Sequence, residues 1–167
     1  YNGTMSTLNQ TKINHLLTTT PSGAVVLSSW LASHGYSTDL QKRYRKSHWL
    51  ESLGNGAMYR SGDTVDYLGG IYALQKQAGL SIHPAAKTAL LLHGKTHYLE
   101  LSSVKAVLFG GKNELLPTWF KSYNWAVNIE YHTSSFLPDN LGLEDYQLKN
   151  FSIKVSSPAR ALMECLY

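Results

Sequence analysis

Cysteine is nearly missing from this 167-residue chain; Cys165 is the only one. A single thiol excludes a disulfide framework and any cysteine-built zinc site held within one chain. Long apolar runs are missing too, since none approaches the ~20 residues that cross a bilayer. The first ten residues are polar and contain no signal-peptide core. Charged residues are sparse at 16%, against 43% apolar residues, which is the balance of a folded chain and not of a disordered tail. These absences give the expectation of a cytoplasmic protein that does not meet a membrane. Residues 1–4 precede Met5, which reads as the natural start. The length suits one ordinary domain or two small ones that share a core.

Catalytic and cofactor signatures are also lacking. Gly110-Gly111-Lys112 has neither the earlier glycine nor the following Ser or Thr of a phosphate loop, and no Gly-x-Ser-x-Gly elbow occurs. His93 and His97 are four residues apart, with His83 upstream, but Gly94 ends the helix that would place them on one face. Asp63 and Asp66 read as acids at a helix start, where they oppose the dipole, and not as a carboxylate pair. Cys165 reads as packing in an apolar helix, with no basic neighbour to activate it. The expectation is a protein that is not an enzyme, with no cofactor and no metal site.

What is present is an uneven charge. Residues 1–62 hold Lys12, Lys42, Arg43, Arg45, Lys46 and Arg60 against Asp39 and Glu51, while residues 63–167 hold nine bases and nine acids. The whole net charge of +4 therefore falls in the first 62 residues. Such clustering is the footprint of a polyanion-binding module, and it is also compatible with an ordinary solvated helix face.

Local patterning orders the elements. Ile13, Leu16 and Leu17 share a face of a helix over 8–19, which Pro21 and Gly23 interrupt. Ser28 is expected to cap a second helix over 29–34, closed by Gly35 in the left-handed conformation, and Ser37 a third over 38–47. Two short segments flank Gly54-Asn55-Gly56, which predicts a hairpin because these residues tolerate positive φ. Thr64 is expected to cap a helix reaching Ala78, and Pro84 to start another that reaches His93. Strands follow at 98–101, 105–109, 127–132 and 151–155, with a helix at 116–123. A last helix begins at Ser157-Pro158, with Ala161, Leu162, Leu166 and Tyr167 as its apolar side.

Three helices and then a hairpin is the order of a winged helix. In the third helix, steps of 100° from Thr38 put Leu40 and Tyr44 at about 200° and 240°. Thr38, Gln41, Lys42 and Arg45 then lie opposite the core, with donors suited to base edges and phosphates in the major groove. With the cap, the flanking bases and the hairpin included, the expected DNA-binding set is Ser37, Thr38, Gln41, Lys42, Arg43, Arg45, Lys46, Asn55 and Arg60. Arg45 is expected on a guanine edge, Lys46 and Arg60 on phosphate, and Asn55 at the wing tip.

Several stretches carry a resemblance in order along the chain: Ser28-Ser29-Trp30-Leu31, the run from Gln41 to Glu51, Gly69-Gly70-Ile71-Tyr72-Ala73-Leu74-Gln75, Gly94-Lys95-Thr96-His97-Tyr98-Leu99, Leu116-Pro117-Thr118-Trp119-Phe120 and Ser156-Ser157-Pro158-Ala159-Arg160-Ala161. In these the chain resembles the AbiEi antitoxin family of bacterial type IV toxin–antitoxin systems. Members of that family usually continue beyond the position where this chain ends. The resemblance implies an N-terminal winged helix that represses its own operon by binding inverted repeats in double-stranded promoter DNA. It also implies a C-terminal domain that counters a nucleotidyltransferase-type toxin, functionally and without need of a stable complex. The expected fold is α+β, an N-terminal winged helix-turn-helix region over 5–80 followed by a mixed α/β domain over 81–167. Two other classes fit the residues: a winged-helix regulator controlled by a small ligand, and a protein-interaction module built on the same platform.

Overall fold

The helix that precedes Pro21 starts earlier than its apolar face requires. In a computed structural model, which describes residues 3–94 and 105–167 and the side chains from Gln10 onward, α1 spans Gly3–Thr19. It buries Ile13 and Leu16. The chain then extends through β1 (Val26–Leu27), turns through α2 (Ser28–Ser33) and α3 (Thr38–Lys46), and forms the expected hairpin from β2 (Leu50–Gly54) and β3 (Ala57–Arg60). These three strands make one antiparallel sheet in the order β1-β3-β2, in which Met58 faces Val26 on one side and Ser52 on the other.

This small sheet separates two cores because successive strand residues point to opposite faces. Val26, Leu50 and Met58 pack with Ile13, Leu16, Leu31, Tyr36, Leu40 and Tyr44 beneath the first three helices. Leu27, Leu53 and Ala57 face the other way, into a larger core that continues to Ala161. That core is filled by α4 (Tyr67–Lys76), which contributes Leu68, Ile71 and Leu74, and by Trp119 and Phe120 of α6 (Thr118–Ser122). Two further sheets complete it. The first pairs β4 (His83–Pro84) antiparallel with β5 (Lys105–Gly110), and β5 parallel with β6 (Asn128–Thr133). The second pairs β7 (Leu143–Gln147) antiparallel with β8 (Ser152–Ser156). Helices α5 (Ala86–Leu92) and α7 (Pro158–Cys165) pack against each other. Among the described residues the chain is thus a mixed α+β structure of seven helices and three small sheets.

Several local expectations are corrected. Ser28 is the first residue of α2 and not its cap; its hydroxyl binds Gln41 instead. The cap of α4 is Asp66, which accepts from the amides of Leu68 and Gly69, and Thr64 lies outside the helix. Pro84 does not open a helix, because β4 pairs it with Leu108 and α5 begins two residues later. The strand expected at 98–101 lies outside the described residues. Strand β7 was not anticipated, since its alternation is weakly apolar and most of it is exposed.

The last helix is turned relative to expectation, keeping only Ala161 of its expected apolar side inward, and it ends at Cys165. Its buried residues are Arg160, Ala161 and Glu164, while Leu162, Leu166 and Tyr167 are exposed. The physical reason is a buried polar junction. Glu164 accepts from the Ala86 amide at 3.2 Å and from Arg160 Nε at 3.2 Å, and its carboxylate meets His83 Nε2 at 3.3 Å. Arg160 in turn donates to the Pro138 and Leu141 carbonyls. Cys165 is exposed and not packed; partial desolvation by its neighbours raises its thiol, against the opposing charge of Lys87.

Candidate nucleic-acid interface

The turn between α2 and α3 is set by two residues. Gly35, at φ +89°, takes the left-handed position after α2, and the amides of Gly35 and Tyr36 return to the Ala32 and Leu31 carbonyls. Ser37 then caps α3, its hydroxyl accepting from the Leu40 amide. At the far end of α3 the same left-handed device recurs with a side chain present. His48 sits at φ +59°, with the His48 and Trp49 amides returning to the Arg45 and Tyr44 carbonyls. This reversal directs the chain into β2 and lays the hairpin alongside α3.

Which face of α3 is outward follows from what it buries. Leu40, Gln41 and Tyr44 are buried, at about 200°, 300° and 240° around the helix, so the buried arc centres near 250°. The opposite side, near 70°, carries Lys42 and Lys46, flanked by Thr38, Asp39 and Arg43, all exposed. The expected outward position of Gln41 is therefore wrong. Gln41 is 1% exposed, accepts the Ser28 hydroxyl at 2.6 Å, and donates to the Tyr36 and Ser28 carbonyls at 2.8 and 3.2 Å. Its amide is fully used in joining α2 to α3.

The other expected site residues divide into three places. Lys42, Lys46, Thr38 and Arg43 share the exposed side of α3. Arg45 sits on the flank next to the hairpin, half-buried, with Nη1 3.0 Å from Met58 Sδ. Asn55 is exposed at the tip between Gly54 and Gly56, as the turn chemistry requires, with Gly56 at φ +85°. Arg45 and Asn55 line one groove of about 340 Å³ between α3 and the hairpin, together with Ser28, Ser52 and Met58. Those last three were missed by the sequence reading. Knowing that Ser52 pairs with Met58 in the hairpin would have suggested two of them. Arg60 lies apart from this region. It is half-buried, and its Nη1 donates to the Leu17 and Thr20 carbonyls at the end of α1.

Against this geometry, residues 9–101 match the family model of the N-terminal domain of AbiEi antitoxin transcriptional regulators, and residues 103–167 match that of the AbiEi antitoxin transcriptional regulators of type IV toxin–antitoxin systems. No curated protein matches the chain. Among solved structures, the crystal structure of the RV2827C protein from Mycobacterium tuberculosis is similar at 17% identity, with a TM-score of 0.47, over 74% of this chain. The chain spans 44% of the length of that protein. No described helix is long and apolar enough to cross a membrane. With the two family matches running through nearly all of its residues, the chain belongs to the AbiEi antitoxin family, the transcriptional regulators of type IV toxin–antitoxin systems.

Proposed function

We propose that α1 to β3 form a winged helix-turn-helix that binds duplex DNA in the cytoplasm and represses the operon encoding this chain. The observation that carries the reading is the exposed side of α3. Thr38, Lys42 and Lys46 lie there exposed, with no side-chain hydrogen bond among the described residues drawing them inward, on a helix placed by a tight turn after α2 and flanked by a glycine-tipped hairpin. A helix so placed enters the major groove with its N-terminal half toward base edges. The concentration of the entire net positive charge in residues 1–62 supports the same partner. A single module of this size covers few base pairs, so repression calls for two copies on inverted repeats.

The same proposal assigns to residues 81–167 the countering of a nucleotidyltransferase-type toxin, an assignment supported by family membership and by the near-balance of eight bases and seven acids in that region. One experiment tests both parts. The full-length Lys42→Ala/Lys46→Ala variant is expected to lose its mobility shift on duplex DNA and to keep whatever protection the parent chain gives against its toxin. Unchanged affinity would overturn the DNA assignment. Loss of protection with an intact circular dichroism spectrum would show that the two activities are not separable.

A further inference from the structure

Arg45 differs from the other bases of α3 in what surrounds it. It is half-buried, and among the described residues the one partner of its guanidinium is the thioether of Met58, itself 1% exposed. A thioether is a weak acceptor, whereas guanidinium carries five N–H donors in a fixed fork. Among the described residues, no ion pair involves Arg45. A cation partly removed from water with its charge uncompensated is costly, and the arrangement becomes favourable when an anion enters.

The groove beside Arg45 has room for such an anion, at about 340 Å³. On the hairpin side the groove is lined by Gly56 and by Asn55, whose exposed amide offers a second donor. Position along the helix matters as well. Arg45 belongs to the C-terminal half of α3, while base edges are met by the N-terminal half of a helix docked in this way.

We infer that the groove between α3 and the hairpin seats one phosphate of the DNA backbone, held by Arg45, and that Arg45 is not a base-reading residue. Sequence reading falls instead to Thr38 and Lys42 on the outward side. The inference rests on the duplex-binding proposal above and assigns roles within that interface.

The test compares the full-length chain with its Arg45→Gln, Arg45→Lys and Lys42→Ala variants on two probes: a duplex that the parent chain selects from a random pool, and a scrambled duplex of the same length. Titrations run from about 50 to about 200 mM salt, where each lost phosphate contact flattens the slope of log affinity against log salt by about 0.9. Arg45→Gln is expected to weaken both duplexes by the same factor and to flatten the slope by that amount. Arg45→Lys should restore the slope, since a phosphate accepts a point charge. Lys42→Ala should reduce the ratio of selected to scrambled affinity. A fall in that ratio for Arg45→Gln, with the slope unchanged, would identify a base contact and overturn the inference. Parent-like binding by both Arg45 variants alongside weakened Lys42→Ala would overturn it while leaving the DNA-binding proposal intact. Parent-like binding by all three variants would remove that proposal and this one together.

Discussion

The Gln41 carboxamide oxygen accepts the Ser28 hydroxyl at 2.6 Å, joining the first residue of α2 to the middle of α3. Gln41 also donates to two carbonyls, so a buried side chain of three hydrogen bonds fixes the angle between the helices. Gln41→Ala leaves the buried Tyr36 carbonyl and the half-buried Ser28 groups without this partner, and a buried group so left costs about 1–3 kcal/mol. The expected outcome is a loss of roughly 3 kcal/mol in chemical denaturation. At a temperature where the variant is fully folded, its ratio of selected to scrambled DNA affinity should match the parent's. A changed ratio with unchanged stability would mean that Gln41 reaches the bases after all.

Arg60 presents a similar choice between a structural and a DNA-contacting role. Its hydrogen bonds to the Leu17 and Thr20 carbonyls place a cation at the C-terminal end of α1, where the helix dipole favours positive charge. Arg60→Gln is expected to lower stability by about 1 kcal/mol and to leave the salt dependence of DNA binding as it was. A slope flattened by about 0.9, with stability unchanged, would restore Arg60 to the phosphate contacts that its sequence position suggested.

Much of the first sixty residues was legible because the signals there are local. Gly35 and Gly56 mark the α2–α3 turn and the hairpin tip through positive φ that few other residues supply, and Ser37 marks the start of α3 through its capping hydroxyl. Strand β5 was legible from its apolar run, and β6 and β8 from the alternation of apolar and polar residues. Three of the failures share one cause, which is polar burial or pairing dictated from elsewhere in the chain. The outward face of α3 was placed from Leu40 and Tyr44 alone, and adding the buried Gln41 rotates the core by about 30° and moves Lys46 to the centre of the exposed side. The same happened in α7, where Arg160 and Glu164 point inward to meet His83 and the carbonyls at 138 and 141. Pro84 became a strand residue by pairing with Leu108, a partner that no window around Pro84 contains.

Gly69 tests the seam between the two cores. A Cβ there would collide with the Gly23 carbonyl oxygen, a backbone atom that cannot rotate away. The Gly69 carbonyl also accepts the Val25 amide, tying α4 to the segment that leads into β1. Gly69→Ala is therefore expected to destabilise by about 2 kcal/mol or more despite alanine's better helix propensity, which alone would favour it by about 1 kcal/mol. Thermal unfolding of the full chain measures this, and a raised midpoint would show that α4 can shift without cost.

Glu164 contributes a pH dependence to the second core. Its side chain is 0% exposed, and burial alone would raise its carboxyl. Hydrogen bonds from His83 and the Ala86 amide, with the charge of His83, outweigh that and hold the carboxyl below its ordinary value of 4.5. A carboxyl depressed in the folded state contributes stability above its unfolded value, and this contribution is lost as pH falls through the lower folded value. Glu164→Gln removes the titration but keeps the shape. The variant should be less stable than the parent near pH 6, and the gap should narrow as pH falls from about 5 to about 3. Urea denaturation across that range checks it. A gap that stays constant down to about pH 3 would mean that Glu164 contributes through packing alone and that its charge is not what holds α7 against β4 and α5.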